Sequence, residues 1–198
     1  FFFANTVNYI ISSIPGLRFI YNKIQHHNGI DFAIPVGTEI KAFKSGTIKQ
    51  IGWENPDEPG SGLGMRITIE YDDHSYESRY GHMSEFTKGL KVGDIVSAGD
   101  VIGKSGNSGF STGPHMHYEE SYFVDKKDEN GQVTGYQKIV RNFTDTIEDL
   151  KNTSPEFAQK LIAFKQEIED STITEKLFNG ALATNFSLPS LPSIFAIS

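Results

Sequence analysis

Two of the six histidines, His115 and His117, stand one residue apart in the segment 112–119. Successive side chains of a β-strand point to opposite faces, so on a strand both imidazoles would share one face. The polar and aromatic residues out to Phe123 are typical of a half-buried strand. Two such imidazoles can serve one metal centre, one as a ligand and the other as a proton carrier. Taken alone, an exposed His-x-His pair is the commoner explanation.

A second pair of candidate ligands, His27 and Asp31, lies near the start of the chain, four residues apart. Gly29 between them lets the backbone turn, so both side chains can converge on one point. With one histidine of the segment 112–119 they would form a set of two imidazoles and one carboxylate. Three protein ligands leave the fourth position of a tetrahedral zinc ion open for water, which is the mark of a catalytic site.

The other histidines have ordinary explanations when each is considered alone. His82 stands at the end of a predicted strand, where a single histidine usually makes surface hydrogen bonds. His26 is expected to be exposed, although a ligand position shifted by one residue, from His27 to His26, stays open. His74 lies in an acidic turn and is expected to be structural.

Two further residues are candidates for contact with a substrate. Tyr21 could line a groove, although a large aromatic side chain more often packs in a core. Arg79 could orient a carboxylate or a substrate, and a surface ion pair is an equal alternative. Both are therefore candidates for binding rather than for chemistry.

The composition of the 198 residues excludes several classes of protein. Hydrophobic residues make up 37% and charged residues 22%, which is typical of a globular protein. The formal net charge of −7 argues against nucleic-acid or anionic-lipid partners. Because there is no cysteine, disulfides and cysteine-based zinc sites are excluded, and a metal must use His, Asp or Glu. No signal peptide or membrane span is visible in the sequence. Because the chain begins at Phe1, we expect it to be a fragment or a processed product, and a leader or membrane anchor could precede it in the full-length protein.

Alternating apolar residues and turn signals predict a mainly β, antiparallel fold. The nineteen glycines suit a fold with many turns. Short predicted strands cover residues 31–34, 38–43, 47–53, 65–71 and 75–83. A long hairpin is expected from strands 118–124 and 136–143, with a charged tip over residues 125–135.

The two ends of the chain are predicted to be separate from this β domain, which we assign to residues 26–143. Residues 1–25 form an N-terminal arm that is expected to pack on the domain. Four apolar residues of the arm have helical spacing: Val7, Ile10, Ile11 and Ile14. Residues 144–198 are predicted to be a helical extension with an extended tail, with Thr144 capping a first helix and Ser154-Pro155 opening a second.

Three motifs, in order, link the candidate residues to a known family. They are His27-x-x-x-Asp31, Arg-Tyr-Gly-His-Met-Ser at residues 79–84, and Gly-Pro-His-Met-His at residues 113–117. The intervening segments agree as well: 29–38, 42–48, 92–96 and 102–109. Together they resemble the lysostaphin/LytM family of zinc metallopeptidases, over about half of the chain.

Carried over residue by residue, the resemblance implies that His27, Asp31 and His117 bind one Zn²⁺ ion. It implies that His82 and His115 are catalytic and do not bind the metal. It also implies a lipoyl-like, duplicated-hybrid-motif fold whose antiparallel sheet forms a narrow groove over the metal. The implied substrate is a peptide of peptidoglycan, cut in the stem or the cross-bridge, so we expect the protein in the cell envelope, periplasmic or extracellular.

The residue types suit this reaction. No HExxH motif is present, so the general base is not a helical glutamate. An imidazole with a pKa near neutrality can take a proton from water and return it to the leaving amine. We assign that task to His115 and a hydrogen bond to the developing oxyanion to His82. The two roles could be exchanged.

Three alternatives stay open at this point. A non-catalytic relative would bind or activate a partner, although such relatives usually lack some ligands, and here all five positions are filled. A carrier domain is a weaker alternative, because no flanking signature supports modification of Lys104. An arm folded into the groove would instead give a latent enzyme, which deletion of the residues before Ile24 should activate.

Overall fold

The structure is a computed structural model that describes residues 10–20, 23–71 and 76–170. Within these ranges the chain forms thirteen β-strands and two α-helices. The strands are β1 (Ile10–Ser13), β2 (Gly16–Ile20), β3 (Lys23–His27), β4 (Ile30–Ala33), β5 (Glu39–Lys41), β6 (Gly46–Trp53), β7 (Met65–Glu70), β8 (Tyr76–Gly81), β9 (Met83–Phe86), β10 (Ile95–Val96), β11 (Val101–Ser105), β12 (Met116–Lys127) and β13 (Val133–Val140). The helices are α1 (Phe143–Thr153) and α2 (Pro155–Asp170).

The main sheet has eight strands and is organised around the long strand β12. Its order is β1-β4-β12-β8-β7-β6-β10, and every pairing in it is antiparallel. The first residues of β12 pair with β4, and its outer half pairs with β13. A three-stranded sheet, β5-β11-β9, and the hairpin β2-β3 complete the described fold. The predicted mainly β, antiparallel architecture is confirmed.

Strand alternation produces one hydrophobic core that both larger sheets share. Met116 and Tyr118 of β12 are fully buried in it, as are Ile69 of β7, Ile40 of β5 and Ile102 of β11. Burying an apolar side chain of this size contributes about 1.5–3 kcal/mol. Because residues 116 and 118 point into the core, the residues between and beyond them point to the opposite face of the sheet.

In the hairpin formed by β12 and β13, the first strand is longer than predicted, the return strand begins three residues earlier and the tip is shorter. The register runs from Ser121 opposite Val140 to Lys127 opposite Val133. The Asp128 carboxylate accepts hydrogen bonds from the backbone amides of Asn130 and Gln132, both at 2.9 Å, and so closes the turn. Residues predicted as a loop on either side of this turn therefore belong to paired strands.

The two helices pack on the β domain through aromatic side chains. Asn142, rather than the predicted Thr144, caps α1: its side chain accepts a hydrogen bond from the Asp145 amide. The second helix begins at Pro155, as predicted. Phe157 of α2 stacks on Phe43 with ring centroids 4.1 Å apart. No helix in the described ranges has both the length and the apolar character needed to cross a bilayer.

The prediction of a helix in the N-terminal arm is wrong for residues 10–13. These residues form β1, which pairs antiparallel with β4 and places Ile11 opposite Phe32. Ile11 is 5% exposed and Ile10 is 50% exposed, an alternation that belongs to a strand. Val7 lies outside the described residues. Pairing with the open edge of β4 outweighs the helical spacing, and through it residues 10–13 of the arm pack on the domain.

Phe43 is one of the side chains that join α2 to the sheet, since it contacts Phe157, Tyr80 and Tyr118. We expect Phe43→Ala to lower the free energy of unfolding by about 3–5 kcal/mol, because it removes a large buried ring and leaves a cavity. The matched control, Tyr136→Ala, removes a ring that is 69% exposed, and it should change stability by less than about 0.5 kcal/mol. Urea denaturation measures both; equal effects would contradict the packing described.

Candidate metal centre

Three strands bring the candidate ligands together. His27 is the last residue of β3, Asp31 the second residue of β4, and His117 lies on β12 directly opposite Asp31. The turn between β3 and β4 passes close under the His117 ring. A Cβ atom at Gly29 would lie 2.5 Å from His117 Nε2, so any side chain there would displace this imidazole. Gly29 is therefore required by this close approach.

The three donor atoms form a compact, buried triangle. Asp31 Oδ1 lies 3.1 Å from His27 Nε2 and 2.9 Å from His117 Nδ1, and the two nitrogens are 3.2 Å apart. Tetrahedral ligands at about 2.1 Å from an ion are about 3.4 Å from one another. Among the residues that the structure describes, these three form the one cluster of potential metal ligands. The triangle therefore fits a single ion.

The charges and protons of the cluster also suit a cation. Burial opposes ionisation of Asp31, but hydrogen bonds with His117 and His27 outweigh it and hold the carboxyl pKa well below its usual range. Burial also opposes protonation of His117, yet hydrogen bonds with Asp31 and Glu119 raise its pKa to about 9. A positive charge is thus stabilised between these groups, and a metal ion would replace the proton on Nδ1.

The N-terminal arm orients His27, the first candidate ligand. His27 Nδ1 donates to the backbone carbonyl of Ile14 at 3.0 Å and lies 3.1 Å from Ser13 Oγ. A carbonyl oxygen only accepts, so the proton is on Nδ1 and the Nε2 lone pair faces Asp31 and His117. Ser12 Oγ donates to the Asp31 carbonyl at 3.2 Å. Sequence analysis did not identify these contacts, because they depend on the pairing of β1 with β4.

His115 and His82 lie next to the cluster without joining it. His115 Nδ1 donates to the Gly113 carbonyl at 2.8 Å, and its Nε2 lies 3.7 Å from Asp31 Oδ1. His82 Nδ1 donates to the Ser108 carbonyl at 2.7 Å, and the two rings are 4.4 Å apart between centroids. Both rings are therefore fixed through Nδ1, which leaves Nε2 as the nitrogen for chemistry.

The backbone at His82 has a positive φ of 57°, a conformation that is uncommon for a non-glycine residue. Its amide donates to the Leu63 carbonyl at 2.7 Å, which fixes the backbone at this position. Burial, followed by the neighbouring His115, lowers the pKa of His82 to about 3, so this imidazole is neutral at pH 7. Burial also lowers the pKa of His115, while the Asp31 carboxylate acts in the opposite direction.

The cluster lies in a groove of about 760 Å³. Ser12 and Ser13 of the arm contribute to its lining, as do Glu54, Leu63 and Phe110 from loops. This volume lies within the range of about 300–1,000 Å³ that is usual for ligand-binding clefts.

The remaining sequence candidates have different positions. His26 also lines the groove, but it is exposed and its Nδ1 contacts Asn28 Oδ1 at 2.8 Å, outside the cluster. Arg79 lines the groove and is paired with Glu77 and Glu119, so it orients carboxylates. Tyr21 and His74 lie outside the described residues.

Glu119 is a buried residue of the site that sequence analysis did not select. It is 5% exposed, and its Oε2 lies 3.3 Å from His117 Nε2. Burial opposes its ionisation, but the contacts with His117 and Lys138 lower its pKa to about 2. Its position two residues after His117 could have identified it, because residues i and i+2 of a strand share one face.

Comparisons with known proteins give the class of this chain. Residues 25–134, more than half of its length, match the model of Peptidase family M23. The chain belongs to this family, and the resemblance to lysostaphin/LytM peptidases is confirmed. Lysostaphin of Staphylococcus simulans is 41% identical over 93 residues, 47% of this chain and 17% of that protein. Peptidoglycan DD-endopeptidase ShyA of Vibrio cholerae is 36% identical over 100 residues, 50% of this chain and 21% of that protein.

Solved structures extend the similarity to the fold. The catalytic domain of lysostaphin from Staphylococcus simulans matches with a TM-score of 0.53 and 31% identity, over 73% of this chain and 93% of that one. LytU matches with a TM-score of 0.54 and 31% identity, over 73% and 88%. The matched region spans about a fifth of the length of the two curated relatives.

We expect the full chain to bind one equivalent of a divalent transition-metal ion. Stoichiometric binding should be lost in each of three variants, His27→Ala, Asp31→Ala and His117→Ala. The matched controls, His26→Ala and His115→Ala, should retain it, because neither side chain is part of the triangle. Elemental analysis by mass spectrometry after dialysis measures the bound metal. Loss of the metal in His26→Ala, with retention in His27→Ala, would show that His26 is the ligand and would contradict the assignment of His27.

Deletion of residues 1–14 removes the Ile14 carbonyl, and we expect it to weaken metal affinity by about 10–100-fold, the usual effect of losing a partner of a ligating histidine. Deletion of residues 1–9 is the control and should leave affinity unchanged. Competition with a chromophoric chelator gives both values, and circular dichroism checks folding. Equal affinities in two folded variants would show that the arm does not support the site.

Proposed function

We propose that this chain is a zinc metallopeptidase that hydrolyses peptide bonds in bacterial cell-wall peptidoglycan. The observation that carries the proposal is the buried triangle of His27, Asp31 and His117, at the bottom of a groove and beside two more histidines. Two imidazoles and one carboxylate are a donor set typical of catalytic zinc. Family membership supports the peptidase activity.

Zn²⁺ held by these ligands would polarise the scissile carbonyl and lower the pKa of water towards neutrality. His27 would bind through Nε2, because its Nδ1 proton is engaged by Ile14. His117 would bind through Nδ1, because its Nε2 faces Glu119. Asp31 would bind through the oxygen that both imidazoles contact. One ligand position is then left for water or substrate.

His115 is the residue we assign as general base. Its Nδ1–H is held by the Gly113 carbonyl, so Nε2 presents a lone pair, 3.7 Å from Asp31 Oδ1. When Nε2 accepts a proton from water, the Asp31 carboxylate stabilises the resulting imidazolium. The same nitrogen can then return that proton to the leaving amine.

His82 is the residue we assign to the developing oxyanion. It enters the reaction neutral, because its pKa is lowered to about 3 by burial and by His115. With Nδ1–H donated to the Ser108 carbonyl, Nε2 can donate only in the imidazolium form, whose extra proton comes from solvent. Negative charge developing on the substrate favours that form, because it raises the pKa of a nearby imidazole.

The proposed substrate is a peptide segment of peptidoglycan, in the stem or in the cross-bridge. Relatives of this chain are named for both bond types: glycyl-glycine endopeptidase ALE-1 of Staphylococcus capitis and DD-endopeptidase ShyA. A location in the cell envelope, periplasmic or extracellular, follows from this substrate. The alternative is a non-catalytic module that binds or activates another cell-wall hydrolase.

Digestion of purified peptidoglycan with the zinc-loaded chain should release peptide fragments, and mass spectrometry of the products identifies the bond. We expect His115→Ala to lower kcat by about 10²–10⁴-fold, as for loss of a general base, and His82→Ala by about 10²–10³-fold, as for loss of an oxyanion donor. Both variants should keep their zinc, whereas His26→Ala should keep both zinc and activity.

Release of no fragments by a fully zinc-loaded chain would contradict the enzyme proposal. If His115→Ala also kept its effect on a partner hydrolase, the chain would be a non-catalytic module.

A further inference from the structure

His117 is held on both of its ring nitrogens by carboxylates. Nδ1 lies 2.9 Å from Asp31 Oδ1 inside the ligand triangle, and Nε2 lies 3.3 Å from Glu119 Oε2 on the opposite side of the ring. Since an ionised carboxylate only accepts hydrogen bonds, the contact with Glu119 requires a proton on Nε2. That proton leaves Nδ1 as the nitrogen directed at the metal.

Glu119 is itself fixed by two cations on its other oxygen. Oε1 accepts a hydrogen bond from Lys138 Nζ at 2.9 Å and lies 3.3 Å from Arg79 Nη1. A buried carboxylate without such partners would carry a large desolvation cost. Lys138 also lies 3.5 Å from Glu77, which is 3% exposed. The two glutamates and two cations therefore form a network directly behind the metal ligand.

Lys138 comes from a part of the chain outside the matched family region, which ends at residue 134. It lies on β13, opposite Phe123 of β12 in the hairpin register. In the observed register the return strand β13 brings the Lys138 ammonium group to Glu119.

We propose that Glu119 is a positioning residue for the metal ligand His117, and that Lys138 of β13 holds Glu119 in place. The inference rests on the metal site of the proposed function. Hydrogen bonding from the distal nitrogen of a ligating histidine to a carboxylate fixes its tautomer and ring orientation and makes it a stronger ligand. In this chain the part of β13 beyond the matched region supplies one of the two cations that keep the carboxylate in position.

The Zn²⁺ affinity of the full chain tests these contacts without any assay of peptidase activity. Partners of ligating histidines contribute about 10–100-fold to affinity. We expect Glu119→Ala to weaken Zn²⁺ binding by about this factor and Glu119→Gln to weaken it less, because the amide oxygen can still accept from Nε2–H. Lys138→Met should weaken it by about 10-fold, since a mobile Glu119 orients His117 less well.

Lys126→Met is the matched control, because Lys126 is an exposed lysine of the same hairpin. It should bind Zn²⁺ as tightly as the parent chain. Competition with a chromophoric chelator gives the dissociation constants, and circular dichroism checks that each variant is folded.

The exchange rate of the Nε2–H proton of His117 is a second measurement. If Glu119 formed only a structural ion pair, its substitution would leave this rate unchanged. In the zinc-loaded chain we expect a slowly exchanging imidazole proton on Nε2, retained in Glu119→Gln and exchanging rapidly in Glu119→Ala. Nitrogen-15 NMR of histidine-labelled protein records it. If Glu119→Ala does not fold, Lys138→Met and the near-isosteric Glu119→Gln decide the question.

The failures of the two proposals are distinguishable. Unchanged Zn²⁺ affinity in folded Glu119→Gln and Lys138→Met, together with a metal-bound Nε2, would overturn the positioning role and leave the peptidase activity intact. If these variants bind Zn²⁺ more weakly but the parent chain releases no peptides from peptidoglycan, the positioning role is supported and the proposed peptidase activity is rejected.

Discussion

The register of β12 between β4 and β8 is the constraint on which the site depends. His117 lies opposite Asp31 on one side and opposite Gly81 on the other. A slip of one residue would turn every side chain of β12 to the other face. The burial of Met116 and Tyr118 opposes that slip, because it would expose both of these side chains. Hydrophobic packing on one face of the strand thereby fixes the polar chemistry on the other.

Electrostatic balance is the second requirement, since the groove contains several buried polar groups. Asp31, Glu119 and His117 are each at most 6% exposed. Removing such groups from water is costly unless each one is paired. Here each carboxylate contacts His117, and Glu119 also contacts Lys138. Two anions around one imidazole stabilise a positive charge at this position, which favours metal binding.

The proposed ligands could be recognised from the sequence because their spacing reflects local rules. The alternation of a strand places His115 and His117 on one face, and the glycine before Asp31 predicts a turn. The family motifs then related the two distant segments to each other. These signals predicted the mainly β fold and the residues that the structure brings together.

The parts that could not be predicted depend on tertiary pairing. The helical spacing in the arm does not reveal that the edge of β4 accepts residues 10–13 as a strand. The contact of Lys138 with Glu119 depends on the register of the β12–β13 hairpin, whose return strand begins three residues earlier than predicted. The cap at Asn142 was missed by two positions because Thr144 is an equally acceptable capping residue by type.

Anomalous X-ray scattering at the zinc absorption edge, from crystals of the zinc-loaded chain, tests the central claim most directly. The account predicts one strong peak at about 2.0–2.2 Å from His27 Nε2, Asp31 Oδ1 and His117 Nδ1. It also predicts that His82 and His115 remain outside bonding distance. A peak elsewhere in the molecule, or one bound by His115 in place of His117, would contradict it.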